Sequence, residues 1–186
     1  GPVHQGGFTE FSYDVTPFIK LGKKQTLEVL VSKESANASV NSAERRADWW
    51  LFGGIYRPVY IEVLPKEHIS HVSIDARANG EIYADVETTT DKRVSLFIDG
   101  KKVAYDEKKS CWVYPNPKTW NPEHPNLYTA TFTLGENGHS LTQKICFRTI
   151  EFREHDGIYL NGTKLVVKGT NRHCFHPETG RALSPA

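Results

Sequence analysis

Residues Tyr128–Phe147 read YTATFTLGENGHSLTQKICF, and this stretch decides the fold. Tyr128, Ala130, Phe132 and Leu134 alternate with Thr129, Thr131 and Thr133, the period of a strand with one buried face. Glu136-Asn137-Gly138 turns the chain, and Ser140–Phe147 returns as a second strand. Upstream, Val94–Ile98 and Val103–Tyr105 flank Asp99-Gly100, a strong hairpin signal. Ile69–Ala76 and Ile82–Thr88 add two more strands.

Roughly seven short strands at this spacing predict an immunoglobulin-like β-sandwich. Within it, the proline-rich stretch Tyr114–Pro125 is expected to be a loop held to the body by Trp120. Toward the N-terminus, Phe11–Val15, Leu27–Val31 and Val59–Leu64 carry strand patterns, with a turn over Thr16–Gly22. Ser32–Ala47 is small and polar and reads as a long loop. Asp48–Arg57 (DWWLFGGIYR) fits neither strand nor helix. After Ile150, Ile158–Leu160, Asn161-Gly162 and Leu165–Gly169 read as a tight hairpin. No amphipathic helix of ordinary length is expected, so the fold class is all-β.

Composition narrows the function classes. Hydrophobic residues are 38% of 186, enough for a packed core. The formal charge is +1, which gives no electrostatic reason to bind nucleic acid or an anionic membrane. No apolar run approaches the roughly 20 residues of a membrane span. Gly1-Pro2-Val3-His4 has neither a basic nor an apolar leader region, so no signal peptide is expected. Periplasmic, secreted and cytoplasmic locations all fit. Cys111, Cys146 and Cys174 are an odd set, which argues against a disulfide framework. Separate thiols are expected, with Cys111–Cys146 the one pairing that a single β-domain would allow.

Five segments, in order, resemble the glycoside hydrolases of family 2, the β-galactosidases and β-glucuronidases. They are GGFTEFSYDVTPFIK (6–20), DWWLFGGIYRPVYIEV (48–63), KTWNPEHPNLYTATFTL (118–134), FRTIEF (147–152) and YLNGTKLVVKGTNRHCFHP (159–177). The resemblance implies three parts: the end of a jelly-roll sugar-binding domain (1–64), the immunoglobulin-like sandwich (65–150), and the start of a TIM-barrel catalytic domain (151–186). It also implies that the chain is an internal piece of a longer enzyme, a retaining exo-β-glycosidase, and is inactive alone.

Retaining hydrolysis uses two carboxylates roughly 5–5.5 Å apart. The resemblance places both, as Glu, beyond Ala186. Glu10, Glu123, Glu151, Glu154 and Glu178 match neither motif and read as surface charges. In β-galactosidases the residue matching Asp48 touches sugar hydroxyls and a bound sodium ion, and a carboxylate accepts several such bonds. His173 follows the last hairpin at what would be the C-terminal end of the first barrel strand, where such barrels hold their active sites. The resemblance has its imidazole donating to a sugar hydroxyl. Arg172 is expected to brace the barrel and Asn171 to fix the turn. Substrate-binding residues are thus Asp48, Asn171, Arg172 and His173. No cofactor is expected in this segment, although the whole enzyme has use for magnesium or sodium. Cys174 and Phe175 stand where the β-galactosidase motif has Glu and His, which leaves the sugar open.

Trp49, Trp50 and Trp120 fit sugar stacking, but core or loop anchoring is the better reading. His155, Asp156, His173, Cys174 and His176 lack the spacing of a structural zinc site. Asn37-Ala38-Ser39 and Asn161-Gly162-Thr163 match the glycosylation sequon, a pattern common by chance. The expected partners are a β-glycoside or oligosaccharide, the remainder of the enzyme and a second copy in a homo-oligomer, with neither nucleic acid nor membrane. The competing reading is a stand-alone carbohydrate-binding or scaffold β-sandwich, which would have no use for a hairpin leading into a barrel.

Overall fold

The computed structural model describes residues 1–5, 10–46, 53–55, 57–171 and 176–178. The chain forms two compact units, Ile61–Thr170 and Gly1–Tyr60 with Asn171–Ala186.

The first unit is all-β. Its strands are β1 (Ile69–Ala76), β2 (Glu81–Thr88), β3 (Val94–Ile98), β4 (Lys101–Lys102), β5 (Ala104–Asp106), β6 (Cys111–Val113), β7 (Tyr128–Leu134) and β8 (Ser140–Ile145). They form two antiparallel sheets, ordered β1-β2-β6-β5 and β4-β3-β7-β8. One core lies between them. Ile69, Val72, Ala76 and Ile82 from the first sheet meet Leu96, Ile98, Ala130, Phe132, Leu134 and Ile145 from the second. Trp112 on β6 meets Phe132 on β7 edge to face, with ring centroids 5.8 Å apart.

Three local devices set the registers. In β1, Ile69 and Val72 are both buried although three positions apart. The register shifts between Ile69 and His71, and this bulge resets the parity. Asp99 and Gly100 have φ of 47° and 78°, the pair of left-handed residues that a type I′ hairpin turn requires. Val103, 6% exposed, lies between β4 and β5, which belong to different sheets. The single strand expected at Val103–Tyr105 is therefore a crossing from one layer to the other, with Val103 dropped into the core.

A third sheet follows. β9 (Ile150–Arg153), β10 (Gly157–Leu160) and β11 (Thr163–Lys164) pair antiparallel in the order β11-β10-β9. Asn161-Gly162 forms the β10–β11 turn with φ of 50° and 78°. The expected return strand at 165–169 is shorter and earlier, because this two-residue turn pairs Leu160 with Thr163 and Tyr159 with Lys164.

The chain before β1 departs from the sequence reading. Residues 11–15, 27–31 and 59–64 form no strands, and almost all their side chains are exposed. An alternating pattern becomes a strand only where a neighbour completes its hydrogen bonds, and none does so among the described residues. Thr16–Phe18 is one turn of 3-10 helix, with Pro17 in its first positions. The polar stretch expected to be a loop contains a helix, α1 (Ala38–Arg46). Asn37 caps it, accepting the Ser39 and Val40 N–H groups on Oδ1 at 3.0 and 3.3 Å. Arg45 and Arg46 lie in its last turn, where cations meet the negative end of the helix dipole. No described helix is long and apolar enough to cross a membrane.

Candidate functional site

Of the four expected substrate contacts, Asn171 is described and exposed; Asp48, Arg172 and His173 lie outside the described residues. So do Trp49, Trp50, Cys174 and Phe175. Asn171 and His176 fall in the same compact unit as residues 1–60. Two structures lead toward the expected site: α1, which ends at Arg46 shortly before Asp48, and the β10–β11 hairpin, which precedes Asn171.

α1 is tied to its approach. Asn41 on the helix accepts the Ser35 N–H on Oδ1 at 2.8 Å and donates Nδ2 to the Ser35 carbonyl at 2.5 Å. Arg45 pairs with Glu34 across the same turn. The helix was legible in principle: a capping Asn, then Ala and Ser, with Glu and two Arg at the end, is a start-and-stop signature. It is short and buries no side chain, so hydrophobic periodicity does not betray it.

The hairpin is tied more firmly. Asn161 accepts the Thr149 N–H on Oδ1 at 2.9 Å and donates Nδ2 to the Trp120 carbonyl at 3.0 Å. Its own N–H donates to the Thr149 carbonyl at 2.8 Å. Trp120 in turn donates its N–H to the Phe147 carbonyl at 2.8 Å, and Arg148 lies over its ring at 5.2 Å. Trp120 thus anchors the proline-rich loop. Beyond it, Asn121 Oδ1 accepts the His124 N–H at 2.7 Å, and Asn126 Nδ2 donates to the Thr119 carbonyl at 2.9 Å. These residues line a shallow depression of about 550 Å³ together with Glu123 and Pro125.

Several polar side chains of the third sheet bond one another. Asp156 receives the Tyr159 hydroxyl at 2.6 Å and Lys164 Nζ at 2.7 Å, one on each carboxylate oxygen. Those two bonds, Lys164 first, hold its pKa below the ordinary aspartate value. Arg153 stacks on the Tyr159 ring at 3.6 Å and pairs with Glu151. Asp156 is therefore a structural acceptor, and no group of three His, Cys, Asp or Glu among the described residues is arranged to hold a metal. Glu10, Glu123, Glu154 and Glu178 are exposed and Glu151 half-buried. Cys111 is buried, Cys146 half-buried, and both are free thiols. The two sequons differ: Asn161 has its whole amide engaged, whereas Asn37 uses only Oδ1.

Comparison with known proteins fits this arrangement. Residues 61–148 match the family model described as "Glycosyl hydrolases family 2". The chain is 30% identical, over 97% of its length, to a putative β-glucuronidase of Formosa agariphila, of which it covers 24%. It is also 30% identical, over 97% of its length, to a β-galactosidase of Thermoanaerobacter pseudethanolicus, covering 27% of that protein. Among solved structures it resembles a β-glucuronidase of Faecalibacterium prausnitzii, with TM-score 0.61 and 29% identity over 88% of this chain and 29% of that one. The chain thus spans about a quarter of the length of the relatives it matches.

Proposed function

We propose that the chain belongs to glycosyl hydrolase family 2, whose model matches residues 61–148, and that it is a non-catalytic segment of a retaining exo-β-glycosidase acting on terminal β-glycosides. The observation that carries this is the match over nearly the whole chain to relatives named for β-glycoside hydrolysis. Residues 65–150 act as an immunoglobulin-like spacer, a reading supported by the two-sheet core. Residues 1–64 belong to a jelly-roll sugar-binding domain and 151–186 open a TIM-barrel catalytic domain. Asp48, Asn171, Arg172 and His173 serve the substrate site, with Asp48 and His173 holding sugar hydroxyls. Such contacts assist catalysis when they tighten as the ring flattens toward an oxocarbenium ion. β-Galactosides are the leading substrates; the relatives named β-glucuronidase make β-glucuronides the second reading.

Steady-state kinetics on the full-length protein with nitrophenyl β-galactoside and β-glucuronide test this. Asp48→Ala and His173→Ala should each lower kcat/KM by about 2–4 kcal/mol of transition-state binding. Unchanged kinetics in either variant removes that residue from the site. The 186-residue chain alone should release no nitrophenol from either compound; release would show that the reacting groups lie within it. Inactivity of the full-length protein on both would favour a binding or scaffold module.

A further inference from the structure

Asn161 joins three stretches of chain that are far apart in sequence. Its side chain bonds the Trp120 carbonyl of the proline-rich loop and the Thr149 N–H that precedes β9, while its backbone begins the β10–β11 turn. Thr149 passes the connection on: its Oγ1 accepts the Ala78 N–H at 3.1 Å, next to the end of β1. The neighbouring Arg148 N–H donates to the Ala76 carbonyl at 3.0 Å. In the β9–β10 ladder Leu160 opposes Ile150, so Thr149 and Asn161 are the next pair along. The turn carries the Asn161 carbonyl away from its ladder position. The side-chain Oδ1 takes over that role, and Nδ2 is then aimed at Trp120. Only a short side chain with both an acceptor and a donor, on a residue that tolerates positive φ, does all of this.

We propose that Asn161 is a positioning residue: its amide locks sheet β9–β11 onto the sandwich, and β11 runs through residues 165–170 into the Asn171–His173 substrate segment. The role in catalysis rests on the glycosidase reading; the lock itself does not.

Two variants separate the parts of the joint. Asn161→Gly keeps the positive φ of the turn but removes the amide. Asn161→Asp keeps the acceptor for Thr149 and replaces the donor to Trp120 with an oxygen. An ionised carboxylate there repels the Trp120 carbonyl, whereas a protonated one donates to it as the amide does. A carboxyl of ordinary pKa is ionised at neutral pH, and Arg148, over the Trp120 ring, is a charged group of the same joint. In the full-length protein, amide exchange at Thr149 should accelerate on the order of tenfold or more in Asn161→Gly and stay protected in Asn161→Asp. On the glycoside that the wild type hydrolyses, Asn161→Gly should lose on the order of tenfold in kcat/KM at every pH. The Asn161→Asp to wild-type ratio should be low at neutral pH and recover toward one in acid. Wild-type exchange at Thr149 in Asn161→Gly overturns the lock. Faster exchange with unaltered kcat/KM, or a pH-independent Asn161→Asp ratio, overturns the positioning role. A wild type inactive on both glycosides, with faster exchange in Asn161→Gly, overturns the glycosidase reading and leaves the lock standing.

Discussion

Glu81, on β2, has both carboxylate oxygens occupied: Lys109 Nζ lies 2.7 Å from one and the Tyr83 hydroxyl 3.3 Å from the other. Its side chain is 15% exposed. The Lys109 bond first, then that of Asn79, holds its pKa down at about 2. A folded pKa below the unfolded one means stability that is complete above the ordinary glutamate range, roughly pH 4.3 and up, and lost as pH falls toward 2. Lys109→Ala should therefore raise the Glu81 midpoint toward the ordinary value and flatten the acid limb of the stability curve. Carboxyl titration by NMR reads the first effect; an unmoved midpoint would show that Lys109 is not the cause. Next to it, in the turn between β1 and β2, Gly80 has φ of 89°, and a Cβ there would meet the Tyr114 carbonyl oxygen at 2.0 Å. Gly80→Ala should destabilise by at least about 2 kcal/mol, from backbone strain and overpacking together. A melting temperature equal to the wild type would sink that estimate.

Among the elements, β7 shows how a strand uses both faces. Ala130, Phe132 and Leu134 point into the core, while Thr131 and Thr133 bond Thr142 and Ser140 across the β7–β8 pair, both at 3.0 Å. Lys144 Nζ reaches the Thr129 hydroxyl at 2.6 Å on the same outer face. Buried and polar pairs thus favour one register, since a slip by one residue would exchange the faces. α1 is the opposite case: with no buried side chain it relies on its ends. Asn37→Ala should cost about 0.5–2 kcal/mol of local helix stability, and Asn37→Asp, which keeps the acceptor, should cost far less. Amide exchange at Ser39 and Val40 measures this; equal protection in both variants would remove the cap from the account.

At the scale of the molecule, legibility followed burial. Ile69–Ala76, Val94–Ile98 and Tyr128–Leu134 stand where alternation put them, because each has a covered face. Among the features that escaped are β6, with only three residues; the passage between sheets at Val103; and β9, which pairs with the hairpin. These depend on which strand lies beside which, and residue order alone does not say. The strand patterns at 11–15, 27–31 and 59–64 failed for the same reason, as no strand pairs with them among the described residues. The expected site rests only on likeness to known enzymes: nothing in the spacing of Asp48 and His173 joins them, since they are distant in sequence. What local pattern did carry was the Asn161-Gly162 turn, although not the bonds its side chain makes.

Those bonds bear on how the protein ages. Asn-Gly pairs convert slowly to aspartate and isoaspartate: the glycine nitrogen attacks the side-chain carbonyl and expels ammonia, and water then opens the resulting succinimide at either carbonyl; the attack requires the side chain to swing free. At Asn161 both ends of the amide are held, whereas Asn137, before Gly138, is exposed and makes no side-chain bond among the described residues. On prolonged warm storage, peptide mapping should find the new negative charge at Asn137 well before Asn161. The reverse order would mean that the hairpin joint opens far more often than its three hydrogen bonds imply.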